Sequence, residues 1–429
     1  MQNNTVLIHA RQMLTMPDVV EQLRDYDPQG DVEARDEAIA GVVHDAGILI
    51  KGGKIAWLGP WAERPKGSDK GGVFETGVVT PGWIDCHTHA LFAGERSAEF
   101  ALRNAGRSYL EILESGGGIL NTVDAVRATS RKQLADELGA RIFDSVRLGV
   151  TTLEVKSGYG LTTDDELKSL RAIADVASDV PCELVACFLG AHAIPREYRE
   201  RRAAYVDLVC KEMIPKVKES QLANYCDVFC DRGAFDAAEA ERILVAGQEH
   251  GLIARIHADE LSNAGAAMLA ARLGAASADH LEHTPDDAIL AMSKAGVTGV
   301  LMPAVNLFLN TLDHLAPARK LLNAGCEIAV ATDFNPGSAM TQDLGLMLTL
   351  ACTLYKLTPG EALRSVTLGA ARALRRDDIG RLRVGTRANL AMFDVPHYRY
   401  IPYHFGKSHV EGVIYDGEFV YWTEDEPID

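Results

Sequence analysis

Between residues 79 and about 380, short apolar stretches alternate with longer stretches of helical spacing. Eight of the apolar stretches have the length of buried strands, and a polar loop and a helical segment follow most of them. The candidate strands are 84–89, 150–156, 183–191, 227–230, 253–257, 276–280, 298–302 and 327–332. The helical stretches include 132–148, 164–177, 236–250, 262–273 and 361–374. This alternation predicts an α/β fold, a (β/α)8 barrel of the TIM type, over residues 79–383.

The two ends of the chain differ from the central region, because they contain β-type stretches broken by glycines. These stretches are residues 5–10, 46–58, 385–395 and 410–421. Gly52-Gly53 divides the second of them as a hairpin turn does. We therefore expect residues 1–78 and 384–429 to combine in one small β-sandwich domain. Residues 28–37 are acidic and turn-rich, and no periodicity predicts regular structure there.

Composition and charge exclude several classes of function. The chain has 60 acidic and 43 basic residues, a net charge of -17, and no run of Lys and Arg. Nucleic acids and anionic membranes are therefore not expected partners, and a small anionic ligand must be met by a few placed cations. The eight cysteines are scattered without a Cys-x-x-Cys pair, which is typical of a reducing compartment. With no export signal or membrane-length apolar run, we expect a cytoplasmic protein.

Polar side chains follow most of the candidate strands, where a barrel of this kind collects its catalytic groups. They are His87, His89, Lys156, Ser157, Tyr159, His192, Asp231, His257, His280 and Asp333. A single histidine in such a place is more often a hydrogen-bonded core residue than a ligand. Five imidazoles and a carboxylate at one barrel mouth are poorly explained in that way, so we predict a functional site there.

A metal ion is the simplest use of this cluster. His87 and His89 are two residues apart, so on a strand they project from the same side and can bind one ion. With His257 and Asp333 they form a set suited to zinc or iron, one divalent or trivalent ion, which lowers the pKa of bound water toward about 7. A second ion would call for a bridging lysine, but Lys156 lies on the second strand. We expect Lys156 to be structural or to face the substrate.

Three further residues have predicted roles beside the ion. Glu260 follows His257 by three residues and is placed for general acid and base catalysis, the alternative being a solvated loop glutamate. His280 could polarise a carbonyl group or be purely structural. Arg96 offers a guanidinium to a carboxylate, unless it is an ordinary surface arginine. Together with Asp333, Glu260 and His280 make up the predicted catalytic residues.

Six blocks of sequence, together with the motif Pro-Gly-x-Ile-Asp-x-His-x-His, resemble one family. The blocks are CHTHALFAGER (86–96), EVKSGYGL (154–161), FLGAH (188–192), HADE (257–260), DHLEH (279–283) and ATDFNPGS (331–338). They are similar to the imidazolonepropionases of the amidohydrolase superfamily. The resemblance implies a hydrolase of histidine degradation that opens the ring of 4-imidazolone-5-propanoate at its amide C–N bond, giving N-formimino-L-glutamate.

Residue by residue, the resemblance implies a metal site and a substrate site. The metal ligands are His87, His89, His257 and Asp333. The substrate site is formed by Arg96, Tyr159, His192, Glu260, Asn335, Gly337 and Ser338. The superfamily also implies a homodimer. We further expect residues 115–118, Ser-Gly-Gly-Gly, to form a flap over the site rather than a phosphate loop.

Two other functions remain open. A mononuclear deaminase of a nucleobase would share the metal ligands and the His-x-x-Glu pattern, but its uncharged substrate would leave Arg96 without a purpose. A barrel kept only as a scaffold is expected to lack ligands, whereas none is missing here.

Overall fold

The central region folds as predicted, with eight parallel strands in one sheet. The computed structural model describes residues 5–19, 23–24, 26–107, 111 and 117–423. The barrel strands are β5 (Trp83–Asp85), β6 (Val150–Lys156), β7 (Glu183–Ala191), β8 (Tyr225–Cys230), β9 (Ile253–Ala258), β10 (Ser277–His280), β11 (Thr298–Leu301) and β12 (Ile328–Val330). They neighbour one another in chain order, as successive β-helix-β units require. The (β/α)8 prediction is confirmed.

The barrel closes at a seam just beyond the ends of β5 and β12. Asp333 N donates to His87 O at 3.1 Å, and His89 N donates to Phe334 O at 3.0 Å. Below these bonds the Asp85 carboxylate accepts from Thr332 N at 3.1 Å and from Thr332 Oγ1 at 2.6 Å. The seam therefore aligns the segment with the two histidines beside the segment with Asp333. The predicted first strand, 84–89, ends at Asp85, so both histidines lie in the segment that follows it.

The chain ends form the predicted second unit, a sheet of seven strands. These are β1 (Thr5–Leu14), β2 (Val42–Lys51), β3 (Lys54–Pro60), β4 (Phe74–Pro81), β13 (Leu390–Phe393), β14 (Val410–Tyr415) and β15 (Glu418–Trp422). Their order is β15-β14-β13-β4-β1-β2-β3, with β1 parallel to β4 and the other pairs antiparallel. The central pair β4–β13 joins the two ends of the chain, with Val79 opposite Met392.

The sheet curls until turns near its two edges meet. Gly53, in the β2–β3 turn, accepts a hydrogen bond from Ala388 N at 2.9 Å. A Cβ atom on Gly417, in the β14–β15 turn, would lie 2.6 Å from Gly53 Cα, so this contact requires glycine. One curled sheet, with a small core that includes Ile8, Ile48 and Met392 and other apolar residues, thus makes the sandwich-like unit.

Helices cover the barrel. The described α-helices are α1 (Val32–Ala40), α2 (Ser97–Asn104), α3 (Ile119–Ala128), α4 (Arg131–Arg147), α5 (Thr163–Val176), α6 (Arg202–Leu208), α7 (Ile214–Ser220), α8 (Ala237–Glu249), α9 (Ala266–Leu273), α10 (Asp286–Ala295), α11 (Pro303–Leu309), α12 (Ala318–Ala324), α13 (Leu344–Leu354), α14 (Pro359–Ser365), α15 (Leu368–Ala373) and α16 (Tyr400–Tyr403). A π-helical turn, Val209–Met213, joins α6 to α7, and short 3-10 turns cover Trp61–Glu63, Ser68–Gly71 and Arg196–Tyr198. None of the helices so described is both long and apolar enough to cross a bilayer.

Two sequence expectations about the helices were wrong. The first concerns the acidic segment 28–37, for which no regular structure was expected, because residues 32–37 lie in α1. Asp31 caps its N-terminus by accepting from Ala34 N at 3.0 Å, and Gly41 ends it in the left-handed conformation. The polar sequence of α1 gives no apolar periodicity, because one of its buried positions is the charged Asp36. This carboxylate accepts from Gly360 N at 2.9 Å and from Tyr398 Oη at 2.8 Å. The second concerns 361–374, predicted as one helix, which divides into α14 and α15.

The sheet of the chain ends and the barrel share an apolar contact. β4 crosses the predicted boundary at 78/79 and leads through Gly82 directly into β5. The buried ring of Trp83 packs against that of Phe393 in β13, with ring centroids 5.0 Å apart. The exact division at 78/79 and 383/384 stays a prediction.

Replacing Phe393 with Ala should weaken this contact. Removing a fully buried aromatic ring lowers the free energy of unfolding by about 3–5 kcal/mol. Phe143→Ala is the matched control, since Phe143 lies on α4 with 47% of its surface exposed and should change stability by less than about 1 kcal/mol. Thermal unfolding of both variants measures the difference. Equal melting temperatures would show that the contact does not stabilise the fold.

Candidate metal centre and active site

Four predicted ligand atoms converge at the barrel seam. Asp333 Oδ1 lies 3.4 Å from His87 Nε2 and 3.4 Å from His89 Nε2. His257 Nε2, at the end of β9, lies 3.3 Å from His89 Nε2. All four side chains are buried. The structure therefore brings together the whole predicted ligand set.

The donor atoms of this cluster fit a metal ion. His87 Nε2 and Asp333 Oδ1 are buried and, among the described residues, make no hydrogen bond. Leaving such atoms unpaired is costly, and imidazole nitrogen with carboxylate oxygen is a donor set that first-row ions accept. In the part of the chain that the structure describes, two groups of three residues have ligand atoms within 4.8 Å of one another. They are His87, His89, Asp333 and His87, His257, His280.

The protonation states also suit coordination. Burial lowers the pKa of His87 well below the usual range and lowers that of His89, so both imidazoles are neutral at pH 7. Burial by itself would raise the pKa of Asp333, but interaction with the adjacent His89 brings it below its usual value, so the carboxylate is ionised at pH 7. Neutral imidazoles and an ionised carboxylate are the forms that bind metal.

A buried carboxylate orients His87. Its Nδ1 lies 2.6 Å from Asp279 Oδ2, and because a carboxylate oxygen only accepts, Nδ1 carries the proton and Nε2 faces the cluster. Asp279 is held in turn by Arg255 Nη2 at 3.0 Å. Arg255 is itself fully buried and also donates to Cys86 O at 2.8 Å. Such outer contacts fix the orientation of a ligand.

A second buried chain orients His257. Its Nδ1 lies 3.1 Å from Asp227 Oδ1, and Lys156 Nζ lies 2.8 Å from Asp227 Oδ2 and 2.7 Å from Glu154 Oε1. Burial alone would lower the pKa of Lys156, but these two carboxylates raise it, so the ammonium stays charged. Lys156 is fully buried beneath the cluster, which agrees with the structural alternative rather than with the substrate-side one.

The turn after β12 holds Asp333. Asn335 Nδ2 donates to Asp333 Oδ2 at 2.9 Å, to Asp333 O at 2.6 Å and to Ser338 Oγ at 2.8 Å. Its Oδ1 accepts from Gly337 N at 2.7 Å and from Ser338 N at 2.9 Å. The polar atoms of Asn335, predicted to line the substrate site, are thus used within the turn, and Ser338 Oγ donates to Asp333 Oδ2 at 3.3 Å.

Arg96 reaches the same turn from the segment after β5. Its Nε and Nη2 donate to Glu99 Oε2 at 3.0 and 2.7 Å. A Cβ atom at position 337 would collide with Arg96 Nη1, so Gly337 permits the close approach of the guanidinium. Arg96 is therefore not an ordinary surface arginine, since it contacts the turn that positions Asp333.

Tyr159 and His192 form a wall beside His89. The His192 ring stacks on that of His89 with centroids 4.8 Å apart, and Tyr159 lies 5.2 Å from His192. Burial and the charge of Asp333 raise the pKa of Tyr159, so its phenol keeps its proton. The loop with Tyr159 is anchored by the Glu166 carboxylate, which accepts from the backbone N–H groups of Gly158, Gly160 and Leu161.

Glu260 and His280 face each other across the site. His280 Nε2 lies 3.7 Å from Glu260 Oε2. Burial, with the nearby charge of Asp333, raises the pKa of Glu260 to about 8. His280 has a φ of 81°, a left-handed conformation that is uncommon for histidine and recurs at functional sites. Of the remaining strand-end residues, Asp231 accepts from Leu261 N at 2.7 Å and so holds the loop after Glu260.

Sequence reasoning missed the buried charges below the cluster. They are Glu154, Asp227, Arg255 and Asp279. A signal was present, because Glu154 lies two residues before Lys156 and Arg255 two before His257, and alternate residues of a strand share a face. The predicted flap, 115–118, lies partly outside the described residues.

Known proteins place the chain in a family. Residues 78–421 match the amidohydrolase family. The imidazolonepropionase of Myxococcus xanthus is 46% identical over 374 residues, 86% of this chain and 89% of the relative. That of Shouchella clausii is 44% identical over 387 residues, 89% of this chain and 86% of the relative.

The chain belongs to the imidazolonepropionase family. Its fold is also that of the E. coli guanine deaminase, with a TM-score of 0.72 at 15% identity over 98% of this chain and 99% of the other. At that identity the likeness concerns the fold alone. The family resemblance read from the six sequence blocks is confirmed.

Replacing Lys156 with Met tests the buried chain of charges. Without the ammonium, Glu154 and Asp227 lose the nearest cation, and Glu154 keeps only Arg255 Nη1 at 3.5 Å. This loss should lower the free energy of unfolding by about 3–5 kcal/mol. Lys132→Met removes an exposed ion pair with Asp136 and should leave the melting temperature unchanged. Calorimetric melting of the two variants makes the comparison. A Lys156 variant as stable as the control would contradict the assigned role.

Proposed function

We propose that the chain hydrolyses 4-imidazolone-5-propanoate to N-formimino-L-glutamate. The observation that carries this proposal is the position of Arg96, whose guanidinium contacts Gly337 four residues after Asp333. A carboxylate anchor and a metal-binding cluster therefore share one short turn, as a ring with a propionate side chain requires. Membership of the imidazolonepropionase family supports the same substrate. Homodimerisation and a cytoplasmic location stay predictions from the sequence.

His87, His89, His257 and Asp333 would hold one ion, zinc or iron. When bound, such an ion lowers the pKa of water toward about 7 and polarises the carbonyl group under attack. Burial keeps the imidazoles of His87 and His89 neutral. Buried carboxylates orient those of His87 and His257. Asn335 and Ser338 keep Asp333 in place.

Arg96 binds the propionate, and Tyr159 and His192 bind the ring. A guanidinium offers two parallel N–H donors to a carboxylate, and Arg96 is held ready for this by Glu99. Tyr159 is a neutral phenol and can donate to a carbonyl or ring nitrogen. The stacked His192 limits the width of the site beside His89. Gly337 completes this part of the site, because its missing Cβ atom lets the Arg96 guanidinium lie against the turn.

Glu260 transfers the proton on which ring opening depends. Asp333 or His280 helps to take a proton from the attacking water, and His280 faces the charge that develops on the carbonyl oxygen. With a pKa of about 8, Glu260 is largely protonated at neutral pH and can donate to the ring nitrogen as the C–N bond breaks. Its Oε2 lies 3.7 Å from His280 Nε2, so both groups can act on the same part of a bound ring.

A nucleobase deaminase is the weaker alternative. The guanine deaminase shares the fold but only 15% of the sequence. A nucleobase carries no carboxylate, so the Arg96 guanidinium at Gly337 would have no ligand. Release of ammonia from guanine or cytosine, with no turnover of imidazolonepropionate, would favour this alternative.

Glu260→Gln should lower kcat for freshly generated imidazolonepropionate about a hundredfold or more, because the amide cannot relay the proton. Metal content per chain should stay as in the unmodified protein. Glu249→Gln is the control, an exposed glutamate at the end of α8, and should keep full activity. Turnover that survives in the Glu260 variant would exclude Glu260 as the proton donor.

Removal of the metal should abolish turnover without unfolding the barrel. We expect dialysis against a chelator to stop hydrolysis, and addition of zinc or ferrous ion to restore it. Elemental analysis should find about one ion per chain, fewer in Asp333→Asn and no fewer in Asp313→Asn, since Asp313 is exposed. Full activity in metal-free protein, confirmed by the same analysis, would refute the proposed metal centre.

A further inference from the structure

A second arginine, besides Arg96, contacts Gly337. Arg103 lies in the last turn of α2, and its Nη1 donates to Gly337 O at 3.3 Å. The guanidinium lies over the ring of Phe308, 5.1 Å from its centroid, which restricts its movement. Gly337 is therefore the point at which two guanidinium groups come together.

Among the described residues, the charges around Gly337 do not cancel. Glu99, the acidic partner of Arg96, accepts from Arg96 Nε and Nη2 through one oxygen and from Gly118 N at 3.1 Å through the other. Arg103 Nε is buried and has no hydrogen-bond partner among the described residues. Two guanidiniums thus share one carboxylate that is already engaged. Burial and the charge of Arg96 lower the pKa of Arg103, as expected for two cations held close together.

An excess cation of this kind calls for an anion. In a chain with a net charge of -17, a carboxylate ligand is repelled at long range and must be bound by local positive charge. A carboxylate has two oxygens and about four acceptor sites, so it can accept from two guanidiniums at once. Holding Gly337 O needs only a single neutral donor and does not account for the buried, unpaired Nε.

We propose that Arg103 is a specificity-determining residue, a second guanidinium that binds the substrate carboxylate together with Arg96. This inference rests on the proposed function, because it takes the propionate as the ligand. It extends the binding site from the segment after β5 to the last turn of α2. Selection between the carboxylate and an uncharged group of the same size then depends on both arginines.

The experiment compares the propionate substrate with its amide. Arg103→Met keeps an apolar side chain over Phe308 but removes the charge. We expect its KM for imidazolonepropionate to rise about tenfold, which corresponds to a loss of about 1.4 kcal/mol of binding free energy. Its kcat should stay within twofold of that of the unmodified enzyme. For the analogue in which a primary amide replaces the carboxylate, KM should not change. Calorimetric titration with N-formimino-L-glutamate should show the same loss of affinity.

Two further variants make the result decisive. Arg107→Met removes the same charge from an exposed position shortly after α2 and should change neither constant. Arg103→Gln keeps a donor for Gly337 O without the charge, and we expect it to show the same rise in KM as Arg103→Met. If the methionine variant does not fold, the glutamine variant provides the test. Equal losses for acid and amide, or a KM equal to that of the Arg107 variant, would overturn the inference. Failure of the unmodified enzyme on imidazolonepropionate would instead refute the proposed function.

Discussion

The histidine cluster depends on charges buried beneath it. Two imidazoles use their Nδ1 atoms to contact Asp279 and Asp227, and these carboxylates are balanced by Arg255 and Lys156 in the barrel interior. Because each charge has an oppositely charged neighbour, the desolvation cost of burying it is offset, and the histidine rings keep one orientation. The orientation of the His87 and His257 rings is therefore set by the barrel core.

The short turn that begins at Asp333 unites the parts of the site. One face of it holds the carboxylate that belongs to the cluster, and Gly337 meets the two arginines. Barrel closure places this turn against the segment with His87 and His89. A change in the turn would consequently affect the proposed metal site and the proposed anion site together.

Much of this architecture could be predicted from the sequence, and the remainder could not for physical reasons. The barrel and its histidines were readable, because buried strands are short apolar runs with polar residues at their ends. Helix α1 was not, since Asp36 is a charged residue satisfied by partners more than 300 positions away. The hydrogen bonds of Asn335 within its own turn could not be predicted either. The sequence is equally compatible with an Asn335 side chain that faces a ligand.

The pairing of β4 with β13 has a consequence for how the chain is made. β4 emerges from the ribosome early, yet its partner strand follows only after all eight barrel strands have been synthesised. Until β13 is made, β4 is an edge strand of the sheet formed by β1 to β4. Its unpaired backbone groups are then exposed to the solvent or to other nascent chains. The small sheet can therefore be completed only after its C-terminal strands have been synthesised.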